Sequence, residues 1–280
     1  MPVYPFNIHL GPMQVTGYGL MMMVAFLTGG WLIALELQRR HLNREYSSDI
    51  VIAALIGGIL GAKIWYAVLK GDAGALFSLG GLVWYGGFLG GVTAVLINGW
   101  RLRVPPRWTM QVMAPALAAA YALGRIGCFL VGDDYGRPTD LPWALSFPQG
   151  LPPTTAGNLA GFGVPFHPGT DPSTVLAVHP TQLYETILMF FAFTILWKLR
   201  TKAWGTGAIF GVYLVMAGVE RFFVEILRAK DDRFFGGFTA AQLTSVALVA
   251  VGMIVFARLK DAGVAPTGVY LSNTPAETVK

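Results

Sequence analysis

Two arginines stand in this chain where apolar sequence surrounds them. Arg125 lies inside Ala118-Ala119-Ala120-Tyr121-Ala122-Leu123-Gly124-Arg125-Ile126-Gly127-Cys128-Phe129-Leu130-Val131, and Arg221 lies with Glu220 and Glu225 inside the stretch Gly207 to Leu227. Both stretches are long enough to cross a bilayer, where a bare charge costs roughly 2.5 to 17 kcal/mol depending on the reference taken. A chain tolerates such a charge where it meets a partner, a water-filled cavity or a polar ligand. The guanidinium group is a planar fork of five donors that grips phosphate. The pattern therefore points to a buried site for an anionic ligand. Gly124 and Gly127 flank Arg125 and would let a ligand or another helix come close. The plainer reading of Arg125 is a side chain that snorkels to the interface or caps a neighbouring helix.

Other residues could join the site. Arg221, Glu225 and Arg228 are spaced i, i+4 and i+7, so one helix face carries all three. Glu225 either pairs with Arg221 along the helix or orients it toward an anion, and the two roles are compatible. His179-Pro180-Thr181-Gln182-Leu183-Tyr184-Glu185 reads as a helix start with Thr181 near the N-cap. Glu185 then falls about a turn inside the membrane, and the segment serves as cap and interface anchor or as a polar wall of the site. Lys63 is a further intramembrane charge, either a substrate contact or a partner for a carboxylate. Tyr85 places a hydroxyl near the outer leaflet, although a phenol of pKa about 10 is a poor base without help. Tyr18 reads first as part of an aromatic belt. Cys128, one turn beyond Arg125, reads as a small hydrophobe. His9, His41, His167 and His179 are scattered, there is no Cys/His cluster of the kind that binds zinc, and no phosphate-binding glycine loop of the Walker type is present.

The elements that must hold these residues follow from composition. Of 280 residues 54% are hydrophobic and only 12% charged, against about 25% charged in soluble domains, which makes this an all-α integral membrane protein. Seven spans are predicted, Thr16–Gln38, Asp49–Leu69, Leu82–Trp100, Trp108–Val131, Thr181–Leu199, Thr206–Leu227 and Thr239–Leu259. They form a single polytopic domain, residues 1–262, with a long Pro- and Gly-containing loop at 132–180 and a disordered tail at 263–280. Arg39, Arg40 and Arg44 in the first loop, Arg101, Arg103 and Arg107 in the third, and Lys198, Arg200 and Lys202 around the fifth place those loops and the C-terminus in the cytoplasm. The N-terminus and the 132–180 loop then face outward. Arg228, Lys230 and Arg233 break the trend beside Asp231 and Asp232, and suit a lipid headgroup. A net charge of +5 is explained by topology and does not call for nucleic acid, and a single cysteine excludes an intrachain disulfide. The first apolar run lacks a basic segment before it and is expected to remain as an anchor, not a cleaved signal peptide.

Five of these segments, in order, resemble the bacterial prolipoprotein diacylglyceryl transferases. Gly124-Arg125-Ile126-Gly127-Cys128-Phe129-Leu130-Val131-Gly132-Asp133-Asp134-Tyr135-Gly136 looks like the family's signature. His179 to Glu185 and Arg221 to Arg228 resemble two further hallmarks, and Gly17-Tyr18-Gly19-Leu20 and Trp84 to Gly91 match its N-terminal half. The resemblance implies transfer of diacylglyceryl from phosphatidylglycerol to the lipobox cysteine of a preprolipoprotein signal peptide in the bacterial cytoplasmic membrane, without metal or cofactor. It implies that Arg125 and Arg221 hold the phosphate and that Glu225 positions Arg221. Asp133 would stand for the family's acid after the signature, Gly136 for its closing glycine, and Tyr18 for its N-terminal tyrosine. Gln182, His179, Glu185, Arg228, Lys63 and Cys128 would line the substrate site among membrane lipids. Tyr85 stands where the family often has His, assigned as base toward the thiol, and Cys128 where it often has Asn. A lipid or anion transporter and a catalytically silent lipid-binding relative are the competing readings. The first would show internal repeats, which this sequence lacks.

Overall fold

A computed structural model describes residues 1–11, 13–78, 81–164, 169–230, 233–235 and 237–272. The chain opens with a hairpin, β1 (Asn7–Leu10) and β2 (Met13–Thr16), which runs directly into α1 (Gly17–Arg39). Then follow α2 (Glu45–Lys70), a 3-10 turn (Ala73–Phe77), α3 (Trp84–Arg101), α4 (Pro106–Val131) and the short α5 (Ala156–Gly161). The remainder is α6 (Thr181–Leu199), α7 (Ala208–Leu227), the strand pair β3 (Arg233–Phe235) and β4 (Phe238–Thr239), α8 (Ala240–Leu259) and α9 (Gly268–Ser272). Among the described residues five helices, α1, α2, α4, α6 and α8, are long and apolar enough to cross a membrane. Helices also occupy the third and sixth expected spans. Within them α3 carries Asn98 and Arg101, and α7, apolar along the rest of its length, carries the three charges of Glu220, Arg221 and Glu225.

Two compact units are present. The first comprises Met1–Thr28, Ala114–Ala203 and Ala208–Arg258. Its core is built on alanine: Ala114, Ala118 and Ala122 recur every fourth residue of α4 and pack with Met189, Ala192 and Leu196 of α6 and Ile209 of α7. Small side chains let these helices approach closely enough for Thr186 Oγ1 of α6 to donate to the Ala122 carbonyl of α4 at 3.3 Å. A Cβ added to Gly218 would lie 2.7 Å from the Ser245 carbonyl, so α7 and α8 also meet along small residues. The loop at 132–180 folds around a core of its own, Tyr135, Phe147, Leu159, Val164 and Val178 with Ala229. The Tyr135 and Phe147 rings stack there at 5.8 Å.

The second unit comprises Gly29–Met113, Trp204–Gly207 and Leu259–Lys280. Here α2 and α3 pack backbone to backbone. A Cβ on Gly57 would fall 2.6 Å from the Gly90 carbonyl, and one on Gly90 would fall 2.8 Å from the Gly61 Cα. Two of the loop arginines used to orient the chain, Arg39 and Arg40, are tied at 2.7 Å to the buried Glu36. The tail departs from the sequence expectation. Instead of a disordered stretch from Gly263, residues 263–272 are docked, with Ala265 and Leu271 buried. The cause is donors waiting for carbonyls. Arg107 Nη2 donates to Gly263 at 2.8 Å, Trp108 Nε1 to Pro266 at 3.1 Å, and the Asn43 amide to Leu271 at 2.9 Å. Residues 273–280 of the expected tail, with Asp231 and Asp232 of the sixth loop and the side chain of Arg233, lie outside the described residues.

Candidate active site

Helix α4 ends because Gly132 adopts φ 69°, a left-handed cap whose amide donates to the Cys128 carbonyl at 3.0 Å. Asp134 is also left-handed, at φ 57°, a conformation Asp tolerates better than most residues. The chain then runs between the start of α6 and the end of α7. The Gly136 amide donates to the His179 carbonyl at 2.8 Å, and the Arg137 amide to the Leu227 carbonyl at 2.8 Å. Gln182 Nε2 donates to the Asp133 carbonyl at 2.6 Å, and Thr181 Oγ1 to the Asp134 carbonyl at 2.8 Å. A Cβ on Gly136 would lie 2.6 Å from the Leu227 carbonyl and 2.7 Å from the His179 Cβ, so only glycine passes here.

This crossing brings together three arginines and three carboxylates in alternating order. Arg228 Nη2 lies 2.5 Å from Asp134 Oδ1, and Asp134 Oδ2 lies 2.9 Å from Arg125 Nη1. Arg125 Nε pairs with Glu185 Oε2. The other oxygen of Glu185 is 3.4 Å from Arg221 Nη1, and Arg221 Nη2 is 2.7 Å from Glu225 Oε2. Glu185 is fully buried and also accepts from the Tyr121 hydroxyl at 3.4 Å. Buried charges are tolerated only when paired, and Glu185 supplies one carboxylate to two cations from different helices. One donor is left over: Arg125 Nη2 is buried with no hydrogen-bond partner among the described residues.

Electrostatics separates the two adjacent aspartates. Burial alone would raise the Asp134 carboxyl, but Arg228 and Arg125 outweigh it and hold it well below the usual carboxylate range. Asp133 is pushed up to about 6, first by burial and then by the charge of Asp134. Burial lowers the His179 imidazole.

The sequence-derived candidates separate into groups. Arg125, Arg221, Glu225, Arg228 and Glu185 converge directly. Cys128 is buried with Arg125 Nη1 at 3.4 Å from its sulfur. Tyr18 packs on the same turn of α4, since a Cβ on Gly127 would lie 3.3 Å from its Cα. Asp133, Gly136 and Gln182 shape the loop backbone. His179 Nδ1 lies 3.3 Å from the Tyr184 hydroxyl, which also accepts from Trp143 Nε1 at 2.7 Å. Tyr85 and Lys63 belong to the second unit. Tyr85 is exposed and edge-on to Trp84, and Lys63 donates to the Ser78 carbonyl at 2.5 Å. Asp134 was missed, because the resemblance drew attention to its neighbour; its signal was the Gly-Asp-Asp run after an apolar helix. Glu220, buried with Oε1 unpartnered among the described residues, was noted but not placed in the site. One grouping was not legible at all: Cys128 Sγ and carboxylate oxygens of Asp133 and Asp134 lie within 4.8 Å of one another. Guanidinium groups already occupy Asp134 from both sides there, which disfavours a cation.

Fold and site define a multi-pass helical membrane protein with a buried arginine–carboxylate lattice suited to an anionic group. A family model described as prolipoprotein diacylglyceryl transferase matches residues 5–258. The chain belongs to that family. It is 30% identical over 90% of its length to a phosphatidylglycerol–prolipoprotein diacylglyceryl transferase of Clostridium tetani, covering 96% of that protein. It is 32% identical to one of Pseudomonas putida (90% of this chain, 92% of the relative) and 33% identical to one of Cupriavidus metallidurans (90% and 89%).

Proposed function

We propose that this protein moves the diacylglyceryl group of phosphatidylglycerol onto the lipobox cysteine thiol of a preprolipoprotein. It does so as a seven-span protein of the bacterial cytoplasmic membrane, with the N-terminus and the 132–180 loop outside. The cysteine sulfur, having lost its proton, attacks the glycerol carbon that carries the phosphate; that carbon–oxygen bond breaks, and glycerol 1-phosphate leaves with the electron pair, its new oxyanion balancing the charge of the released proton. The observation that carries this reading is the meeting of Arg125 and Arg221 on Glu185. Two forks from different helices converge there, and one buried donor of Arg125 is still unused. Cations fixed in a water-poor site stabilise the charge that grows on the departing phosphate without reorganising at the moment of reaction. The same field favours the thiolate, the reactive form of a thiol whose free pKa is about 8.5. Glu225 and Glu185 set the direction of the forks. Tyr18, packed against the turn of α4 that holds Gly127, is the group proposed to face the lipid.

The test is an assay of purified protein with labelled phosphatidylglycerol and a lipobox peptide. Wild-type protein yields a thioether-linked lipid on the peptide, and Arg125→Ala and Arg221→Ala do not, although both insert and fold. Lysine at either position rescues poorly, because it offers a point charge and not a fork. A wild-type protein that moves lipid without making thioether is a transporter. Normal turnover by both alanine variants would remove the arginines from the mechanism.

A further inference from the structure

Among the acids of the lattice, Asp134 differs from Glu185 and Glu225 in exposure. Its side chain is 42% exposed, whereas theirs are 0% and 4% exposed. It nonetheless holds two guanidinium groups at once, Arg125 at 2.9 Å and Arg228 at 2.5 Å. That is the seat an oxyanion takes between two arginine forks. Its backbone is fixed independently of its carboxylate. Thr181 Oγ1 and Arg228 Nη1 reach the Asp134 carbonyl at 2.8 and 3.4 Å, and Gln182 holds the Asp133 carbonyl. The carboxylate can therefore swing out by rotation about χ1 while the loop stays in place.

We propose that Asp134 is a displaceable internal anion, occupying between Arg125 and Arg228 the seat that the phosphate of the lipid headgroup takes on binding. The proposal rests on the phospholipid reading given above. A phosphodiester carries one negative charge, as the aspartate does, so the exchange leaves the charge between the two arginines unchanged. The phosphate also extends further than a carboxylate and can reach Arg125 Nη2, which has no partner among the described residues. Both arginines hold the Asp134 carboxylate, so the seat between them is already taken by an anion of the protein's own. Apparent affinity for phosphate is then reduced by the fraction of molecules in which that seat is closed. Asp134 would thus set how tightly the headgroup is held and release it again after turnover, with Asp133 and Glu185 as the neighbouring acids that shape the same field.

The experiment is equilibrium binding by the full-length protein in nanodiscs, with phosphatidylglycerol in one arm and inorganic phosphate in the other. Asp134→Asn is expected to bind phosphatidylglycerol at least roughly fivefold more tightly than wild type. Tightening in both arms identifies the seat as general for phosphate, and tightening in the lipid arm alone identifies it as specific for the headgroup. Asp134→Glu, which keeps the charge, should remain near wild type, and Asp134→Ser should repeat the asparagine result should that variant fold poorly. Unchanged or weaker binding in both neutral variants would overturn the proposal and make Asp134 a strut that positions the arginines. Binding is read without turnover, so a wild-type protein that binds lipid and makes no thioether defeats the enzyme reading alone. Failure of every protein to bind either probe defeats both.

Discussion

Glu185→Gln removes one charge and almost no volume at the centre of the lattice. In wild type the carboxylate touches Arg125 through one oxygen and Arg221 through the other, with no exposure to solvent. At about 4 Å and an effective dielectric near 20, each attraction is worth about 4 kcal/mol before desolvation is counted. Breaking a buried pair by removing one partner typically costs about 3–5 kcal/mol. The net loss here should fall at the lower end, about 3 kcal/mol. Glutamine keeps an acceptor, Asp134 still holds Arg125, and Glu225 still holds Arg221. The effect on chemistry should exceed the effect on binding. With Glu185 neutral the two forks repel and move apart, and a displacement of about 1 Å at a positioned group can cost about 100-fold in rate. The expected result is a fall of that order in kcat, with phosphatidylglycerol affinity kept or improved, since a competitor for the arginines has been removed. The assay is steady-state transfer to a lipobox peptide, run alongside thermal unfolding and lipid binding. A folded Glu185→Gln protein with kcat within threefold of wild type would refute the view that Glu185 positions the arginines. So would a loss residing wholly in binding.

Three shorter predictions concern other parts of the molecule. Asp133 is neutral below about 6 and charged above it, and its ionisation adds negative charge beside Asp134 and Arg125. Lipid affinity should therefore weaken as pH rises through 6, and the raised carboxyl should lose its stabilising contribution over the same range. Asp133→Asn should flatten that limb of the binding profile, and an unaltered profile would count against it. Gly136→Ala forces a Cβ to within 2.6 Å of the Leu227 carbonyl. It should lower stability by about 1–3 kcal/mol and reduce transfer, both read on the purified variant. Trp108→Phe removes the donor to the Ala265 and Pro266 carbonyls. It should free residues 263–272 to exchange amide hydrogens faster, by about 1 kcal/mol of local opening, with transfer little changed.

Much of the helical framework was legible because it rests on local patterns. Apolar runs of bilayer length mark their own helices, and the i, i+4 spacing of Arg221 and Glu225 already implied the 2.7 Å pair. Gly124 and Gly127 beside Arg125 marked a place of close approach, and a Cβ on Gly127 would indeed lie 3.1 Å from the Met21 Cβ. Charges inside apolar sequence pointed to a site by themselves, because burial without a partner is so unfavourable. Which partner each charge finds was not legible. Arg221 and Glu185 are 36 positions apart, and only the packing of α6 against α7 joins them. Periodicity says which residues share a face of one helix and is silent about the face opposite. The choice between Asp133 and Asp134 turned on a single left-handed residue, φ 57°, that sends one side chain toward the arginines. The docked C-terminal segment escaped notice for a similar reason. Its stability comes from donors on distant helices, Arg107 and Trp108, reaching carbonyls in a stretch with little apolar pattern of its own. Sequence thus determined which charges had to be buried in helices, because hydrophobicity is additive along the chain. The tertiary structure decided how those charges pair, because Coulomb energy depends on distances that only packing sets.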